Sequence, residues 1–183
     1  MDPFPIFTNR LIIRDFTMAD EDAVHEYGSD AEVVRYMPWG PNTREETRGY
    51  LEHVTASQAK EPRTLYDMAL VLRDNHQLIG ACGIHITRTD VGEAALGYCL
   101  HRSYWGQGYM SEAARAMVAF AFEQLKMHRV FATCDPNNIG SRQVMEKIGM
   151  TYEGRLRDHQ RVKGAWRDSL VHSILKPEYL RGD

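Results

Sequence analysis

The sequence predicts an α/β (α+β) fold in which one mixed β-sheet is flanked by helices. Three observations predict it. The chain has 183 residues, 43% of them hydrophobic, which suits one domain with a core of its own. Strand-like and helix-like patterns follow one another in the order β-α-α-β-β-β-α-β-α-β-β. A Gly-x-Gly turn joins the fourth strand to a long amphipathic helix. Residues 1–183 are therefore interpreted as a single domain.

Seven stretches have the composition of strands. The fourth alternates large and small side chains, which is typical of a half-exposed strand. Asp74-Asn75-His76 predicts a hairpin between the second and third strands, and the last two strands are predicted to form a longer hairpin. The seven stretches are Arg10–Phe16, Leu65–Arg73, Gln77–Thr87, Glu93–Leu100, Arg129–Cys134, Tyr152–Arg157 and Trp166–Leu175.

Helices are predicted from apolar periodicity and from capping residues. Thr17 is expected to cap the first helix, and Thr43 with Glu46 matches a capping box. A short helix ends before Gly149, as helices often end at a glycine. The predicted helical segments are the residues after Thr17, a piece near 30–36, 43–60, the stretch from Gly108 to about Lys126, and Asn138–Lys147.

The turn before the long helix reads Trp105-Gly106-Gln107-Gly108-Tyr109-Met110. Gly106 and Gly108 lack a Cβ, so their N–H groups can approach a ligand closely. The first N–H groups of a helix have no internal partner, and the helix dipole adds partial positive charge. The turn therefore predicts an anion site suited to phosphate. Ser111 stands where a Rossmann fingerprint needs a third glycine, and the chain has no Gly-Lys-Ser/Thr of a P-loop.

Further motifs follow in order: Leu96-Gly97-Tyr98-Cys99-Leu100, Asp135-Pro136-Asn137-Asn138-Ile139-Gly140-Ser141, Met145-Glu146-Lys147-Ile148-Gly149-Met150 and Glu153-Gly154. With the Gly-x-Gly turn, these closely resemble the GCN5-related N-acetyltransferases (GNAT superfamily). Within that superfamily the chain looks most like the RimJ/RimL branch of ribosomal-protein N-terminal acetyltransferases. The resemblance runs from Thr8 to Leu170. It implies the acyl-CoA N-acyltransferase fold, with a mixed, mostly antiparallel seven-stranded sheet whose fourth and fifth strands are splayed.

The resemblance also implies acetyl-CoA as cosubstrate. Its pyrophosphate would lie on the Gly106–Met110 turn, and its pantetheine arm would pair with the fourth strand like an added strand. Asn138 and Ser141 match the Asn-x-x-Ser positions that contact the cofactor near its thioester, although Asn138 also reads as a plain helix N-cap. The expected cofactor-binding residues are Tyr98, Cys99, Leu100, Trp105, Gly106, Gln107, Gly108, Tyr109, Met110, Asn138 and Ser141.

The implied chemistry is attack of a neutral primary amine on the thioester. Met145 stands where many relatives carry a tyrosine, so Ser141 is the candidate donor to the leaving sulfur, unless it is an ordinary hydroxyl at a helix N-terminus. Ala95 stands where relatives carry a glutamate. Glu93 lies on the same strand face and is the candidate base, either directly or, as we favour, as a proton acceptor through a water molecule, with a solvated strand-end carboxylate as the alternative. Three histidines are further alternatives: His85, His101 and His172.

The helical insert between the first two strands is expected, from the resemblance, to form one wall of the acceptor site. Tyr36 and Trp39 are the candidate substrate contacts, although Trp39 also fits a packing anchor under a loop. Three functions stay open. They are acetylation of a protein N-terminal amine, which leads; acetylation of a small amine such as a polyamine, antibiotic or amino acid; and CoA binding without turnover. The helical insert, with Tyr36, Trp39 and the 43–60 helix, is also a candidate contact surface for a homodimer.

Composition limits the partners and the compartment. The net charge of −3 implies no general affinity for nucleic acid. No stretch reaches the roughly 18 apolar residues of a membrane span, and Met1–Phe7 lacks the pattern of a signal peptide. The cysteines Cys82, Cys99 and Cys134 have no zinc-ligand spacing, so we expect no metal but reduced, buried thiols in a cytoplasmic protein.

Overall fold

One sheet of eight strands organises the fold in the computed structural model, which describes residues 4–182. The strands are β1 (Ile6–Phe7), β2 (Leu11–Asp15), β3 (Leu65–Leu72), β4 (Leu78–Arg88), β5 (Glu93–Leu100), β6 (Arg129–Cys134), β7 (Thr151–Val162) and β8 (Ala165–Leu175). They stand in the order β1-β2-β3-β4-β5-β6-β8-β7. Neighbours are antiparallel, apart from the parallel pair β5 and β6. The mixed, mostly antiparallel sheet is confirmed, with one strand more than the seven predicted, because the two-residue β1 pairs with β2.

Helices cover both faces of the sheet. They are α1 (Glu21–Gly28), α2 (Arg44–Gln58), α3 (Tyr109–Glu123), α4 (Ile139–Lys147) and α5 (Lys176–Arg181). Side chains of α1 and α2 share one apolar cluster with Ala69, Ala81 and Cys99 of the sheet. Side chains of α3 and α4 share the other cluster with Leu70 and Leu96. The two clusters are separate because alternate residues of a strand point to opposite faces.

Local signals placed several helix ends correctly. The capping box of α2 is confirmed: Thr43 Oγ1 accepts from the Glu46 N–H at 3.2 Å, and Glu46 Oε2 accepts from the Thr43 N–H at 2.7 Å. Helix α4 begins after Asn138, whose Oδ1 accepts from the Ser141 N–H at 3.1 Å. The helix ends just before Gly149, which has the positive φ of +85° that favours glycine.

The helical piece predicted near 30–36 is wrong. The segment forms successive turns, although the Val34 N–H does donate to the Asp30 carbonyl at 3.1 Å. The Asp30 side chain accepts from the Glu32 N–H at 3.0 Å. Such a local side-chain bond competes with helical pairing, and so short a segment gains little from helix propagation.

Several helices and strands begin or end at other residues than predicted. Helix α1 begins at Glu21, because a short 3-10 turn at Met18–Asp20 separates it from Thr17. Strand β7 runs to Val162, five residues beyond the prediction's end at Arg157, because the tight turn to β8 is at Lys163 and Gly164. Both turn residues have positive φ, +50° and +86°, as the favoured two-residue hairpin turn requires. Strand β1 and helix α5 were not predicted.

Strands β5 and β6, the predicted fourth and fifth strands, are splayed as predicted. They pair only where Glu93–Ala95 meets Arg129–Phe131. Beyond Ala95, β5 continues to pair with β4, whereas β6 pairs with β8. A gap therefore opens between the two strands toward their carboxyl ends, and this gap positions the candidate site.

The three cysteines lie in β4, β5 and β6 as free, buried thiols. Within residues 4–182, no helix is both long and apolar enough to cross a bilayer.

Candidate active site

A cavity of about 1220 Å³ lies in the gap between β5 and β6. It extends from the Gly-x-Gly turn to the loop that precedes α2 and to the β7–β8 hairpin. Both faces of β5 contribute to it, with Tyr98 on the α3 side and Cys99 on the α2 side. One ligand can therefore enter from the α3 face and another from the α2 face, and they can meet in the gap.

The Gly-x-Gly turn presents open backbone to this cavity. Gly106 and Gly108 have φ of +73° and +82°, in the left-handed region that L side chains rarely adopt. A Cβ at Gly106 would have no atom of the protein within 4 Å. Gly108 is the N-cap of α3, so the N–H groups after it have no partner within the helix. The turn has the features of an anion cradle.

Arg10 and Glu112 hold the turn in place. The Arg10 guanidinium donates to the Gln107 carbonyl at 3.0 Å and to Glu112 at 2.7 Å, and it stacks on the Tyr109 ring with 4.1 Å to the centroid. Thr8 Oγ1 also donates to Glu112 at 2.6 Å. Burial opposes ionisation of Glu112, but the bonds from Thr8 and Arg10 outweigh it and lower the pKa of that carboxyl. Arg10 is thus bound to the protein itself, and the free donors of the turn are its backbone N–H groups.

Most of the predicted cofactor residues line the cavity, but two do not. The Gln107 side chain donates to the Ser103 carbonyl at 2.8 Å, and Tyr109 lies beneath Arg10. Both side chains support the turn from outside. The residues that do line the cavity are Tyr98, Cys99, Leu100, Trp105, Gly106, Gly108, Met110, Asn138 and Ser141.

One predicted backbone partner for the pantetheine arm is already occupied. Trp105 Nε1 donates to the Leu100 carbonyl at 2.7 Å. This bond folds the half-exposed indole back against the end of β5. Any strand-like pairing of a ligand with β5 would therefore depend on Tyr98 and Cys99 more than on the Leu100 carbonyl.

Ser141 is part of a small group of neutral donors beside the cavity. The Tyr98 hydroxyl donates to the Ser141 carbonyl at 3.0 Å and lies 3.0 Å from Ser141 Oγ. Burial raises the pKa of Tyr98, and burial also raises the pKa of Cys134 to about 11, although a hydrogen bond with Ser141 opposes that shift. The phenol and the thiol are therefore uncharged near neutral pH. This arrangement can donate a hydrogen bond to an anion that forms in the cavity.

Glu93 lies apart from the cavity. It belongs to the part of β5 that still pairs with β6, where Arg129 Nη1 donates to its Oε2 at 2.7 Å. Arg129 also bonds Glu153 at 2.5 Å. This placement argues against Glu93 as a base in direct contact with the reacting amine, and its role through a water molecule stays a prediction.

The three histidines that were alternatives to Glu93 lie in different places relative to the cavity. His85 lines the cavity, whereas His101 and His172 are not among its lining residues. His172 is buried, and that burial lowers its pKa.

Tyr36 and Trp39 line the cavity at its α2 end. The β7–β8 hairpin holds their loop: Lys163 Nζ donates to the Val34 carbonyl at 2.8 Å, and Arg167 Nη1 donates to the Arg35 carbonyl at 3.4 Å. Trp39 is 38% exposed, so its ring is available to a ligand at the mouth.

Sequence reasoning missed Asp67 of β3, which also lines the cavity. The Tyr50 hydroxyl of α2 donates to Asp67 Oδ2 at 2.8 Å. Burial raises the pKa of Asp67, against the bond from Tyr50 and the charge of His53. The signal that could have found it is a single carboxylate within the otherwise uncharged strand Leu65–Leu72.

Among residues 4–182, no group of three or more His, Cys, Asp or Glu side chains is arranged to hold a metal ion.

Residues 10–151 match the family model of the acetyltransferase (GNAT) domain. The chain belongs to the GNAT acetyltransferase family. The gap between β5 and β6 is a feature that the resemblance predicted for it. Proteins of this family transfer an acetyl group from acetyl-CoA, and this chain is an N-acetyltransferase by membership.

Full-length relatives support this assignment. The uncharacterized N-acetyltransferase YnaD of Bacillus subtilis strain 168 is 36% identical over 177 residues, which cover 95% of this chain and 98% of YnaD. The ribosomal protein uS5-alanine N-acetyltransferase of Escherichia coli K12 is 25% identical over 182 residues, 96% of this chain and 92% of the enzyme. A GNAT-family acetyltransferase crystal structure from Bacillus anthracis has a TM-score of 0.83 and 34% identity, and the match covers 94% of this chain and 98% of that one.

Proposed function

We propose that this protein transfers the acetyl group of acetyl-CoA to the N-terminal α-amine of a protein. The observation that carries the proposal is the cavity in the gap between β5 and β6. It connects the open glycine turn of α3 with an end that contains the carboxylate of Asp67 and the rings of Tyr36 and Trp39. An anionic donor fits the first end and a cationic amine fits the second.

The donor end suits acetyl-CoA. Its pyrophosphate would accept from the N–H groups of the turn at Gly106–Met110. Its arm would lie along the open edge of β5 at Tyr98 and Cys99. Asn138 serves as the N-cap of α4 and also lines the cavity, so its amide can contact the ligand while it caps the helix. When bound, acetyl-CoA supplies a reactive thioester.

Ser141 is proposed to act on the leaving group. As the amine forms its bond with the acetyl carbon, the carbon–sulfur bond breaks and the sulfur takes up negative charge. The Ser141 hydroxyl, held by Tyr98, would donate a hydrogen bond to that sulfur. An α-amine has an ordinary pKa of about 8, so part of it is neutral near pH 7 and can attack directly.

A protein acceptor is favoured over a small amine for two reasons. The E. coli relative of 25% identity is named for acetylating the alanine of ribosomal protein uS5. The mouth at Tyr36 and Trp39 is continuous with a long exposed hairpin, which offers a surface for a chain that extends out of the cavity. We further propose that residues 1–183 act as one domain in the cytoplasm, which suits three free thiols. We also propose a homodimer contact on the helical insert between β2 and β3, and light scattering would test it.

The test is thiol release from acetyl-CoA with paired acceptors. Peptides that carry a free N-terminus are compared with the same peptides blocked by a formyl group, and with polyamines, aminoglycosides and free amino acids. We expect release with free peptides only, and mass spectrometry should locate the acetyl group on the α-amine. Release with a small amine, and none with the free peptides, would show that the acceptor is a small molecule and not a protein N-terminus. Calorimetric binding of acetyl-CoA with no release from any acceptor would favour a binding module.

A further inference from the structure

A row of three residues crosses the sheet on the α2 face of the cavity. Asp67 of β3 stands opposite Gly83 of β4, and Gly83 stands opposite Gly97 of β5. Residues that stand opposite one another point to the same face. Because the second and third members are glycines, no side chain of the row itself stands between the Asp67 carboxyl group and the gap beside β5.

The two glycines differ in what surrounds them. A Cβ at Gly83 would lie 2.9 Å from Asp67 Oδ1, so the carboxylate already extends over Gly83. A Cβ at Gly97 would meet nothing within 4 Å. The space over Gly97 is therefore open, and it is about one strand spacing, ~4.8 Å, from the position that the carboxylate covers.

Tyr50 orients the carboxylate without occupying it fully. Its hydroxyl binds Oδ2, and its ring is held edge-on against Phe16 with centroids 5.8 Å apart. Oδ1 accepts no hydrogen bond from residues 4–182 and remains available to a ligand. No lysine or arginine of the described chain forms an ion pair with Asp67.

A partly buried carboxylate with no cationic partner is costly unless a ligand or a proton compensates it. His53 acts on it electrostatically rather than through a hydrogen bond, in the direction that favours the ionised carboxylate. An ammonium group of the acceptor is the missing partner with the right charge and size. A carboxyl whose pKa is raised is also a better proton acceptor than an exposed one.

We propose that Asp67 binds the ammonium group of the acceptor over Gly97 and takes one proton from it. The inference rests on the proposed function, because it assigns the base of that reaction. The ammonium transfers one proton to Oδ1, and the freed electron pair forms the nitrogen–carbon bond. The carbon–sulfur bond breaks, and a second proton from nitrogen goes to the sulfur. Asp67 then returns its proton to solvent.

The test compares Asp67→Asn with Asp74→Asn. Asparagine keeps the shape and can still accept from Tyr50, but it carries no charge and takes no proton. Asp74 is an exposed carboxylate in the β3–β4 turn, outside the cavity. We expect Asp67→Asn to lower kcat/KM for the amine by about a hundredfold or more, with the Kd of acetyl-CoA within about twofold. Asp74→Asn should leave both unchanged.

A second readout does not depend on turnover. Calorimetry measures the binding of a free-N-terminus peptide to the protein–CoA complex, for wild type and for Asp67→Asn. We expect weaker binding to the variant; equal binding overturns the assignment, whether or not the wild type transfers acetyl groups. Absence of turnover in the wild type would instead count against the proposed function.

Tyr50→Phe is the second variant, in case Asp67→Asn fails to fold. It keeps the ring and removes the bond that orients the carboxylate. We expect kcat/KM to fall by about tenfold, the equivalent of one hydrogen bond to a charged group. An unchanged kcat/KM in either folded variant rules out this role for Asp67.

Discussion

Alanine at Gly106 is the sharpest test of the phosphate cradle. Gly106 has a φ of +73°, so alanine there costs about 1–2 kcal/mol of folding free energy. For a chain of this length, that is a fall in Tm of roughly 2–8 °C. Nothing of the protein lies within 4 Å of the added Cβ, so the methyl group projects into space that only a ligand would fill.

Gly164→Ala is the matched control. Gly164 has a φ of +86° in the β7–β8 turn, no atom within 4 Å of its added Cβ, and no place in the cavity lining. Both variants should therefore lose similar stability. Only Gly106→Ala should lose CoA affinity, by about tenfold to a hundredfold, since one charge-assisted hydrogen bond is worth about 1.5–3 kcal/mol.

The measurement is calorimetric titration of CoA into each variant, at a temperature where thermal unfolding shows both to be folded. Equal CoA affinity in the two variants, with the expected loss of stability in both, would refute the idea that this turn binds phosphate.

Three further outcomes are expected. Ser141→Ala removes the hydroxyl beside Tyr98; kcat should fall by about tenfold to a hundredfold, with acetyl-CoA binding by calorimetry within about twofold of wild type. Glu93→Gln should keep kcat within about twofold in steady-state assays, because Arg129 holds that carboxylate outside the cavity; a loss of a hundredfold would restore Glu93 as the base. Glu112→Gln should cost about 2 kcal/mol of unfolding free energy at pH 7 in urea titrations. Since the folded pKa of Glu112 is lowered, that cost is full above its ordinary value of about 4.3 and shrinks as the pH falls below it. A cost that persists unchanged at pH 3 would show that the carboxylate charge is not responsible.

Features that depend on neighbours in the chain were predictable. The capping box needs only Thr43 and Glu46 at a spacing of three, and the structure contains both of its hydrogen bonds. The Gly-x-Gly turn likewise depends on a backbone conformation that glycine adopts easily. The segment near 30–36 failed because the Asp30 side chain bonds the backbone locally, and this competes with a helix.

The candidate base could not be predicted from strand alternation. Alternation correctly puts Glu93 on the face of Ala95, but it does not say where along β5 the neighbouring strand departs. The structure shows that pairing with β6 lasts through Ala95, so Glu93 stays in the closed part of the sheet. Asp67 lies 30 residues before Gly97 in the chain, and it reaches the cavity only through strand pairing.

By itself, the sequence determined the family, the order of the elements from β2 to β8, the glycine turn and the splay of two strands, because each of these follows from local motifs or from likeness to known proteins. Tertiary structure alone decided which side chains share the cavity. It placed Glu93 outside the cavity, Ser141 beside Tyr98, and Asp67 in the cavity lining, two glycines away from the gap beside β5. The physical reason is register: which residues stand opposite one another in a sheet depends on strand pairing between distant segments.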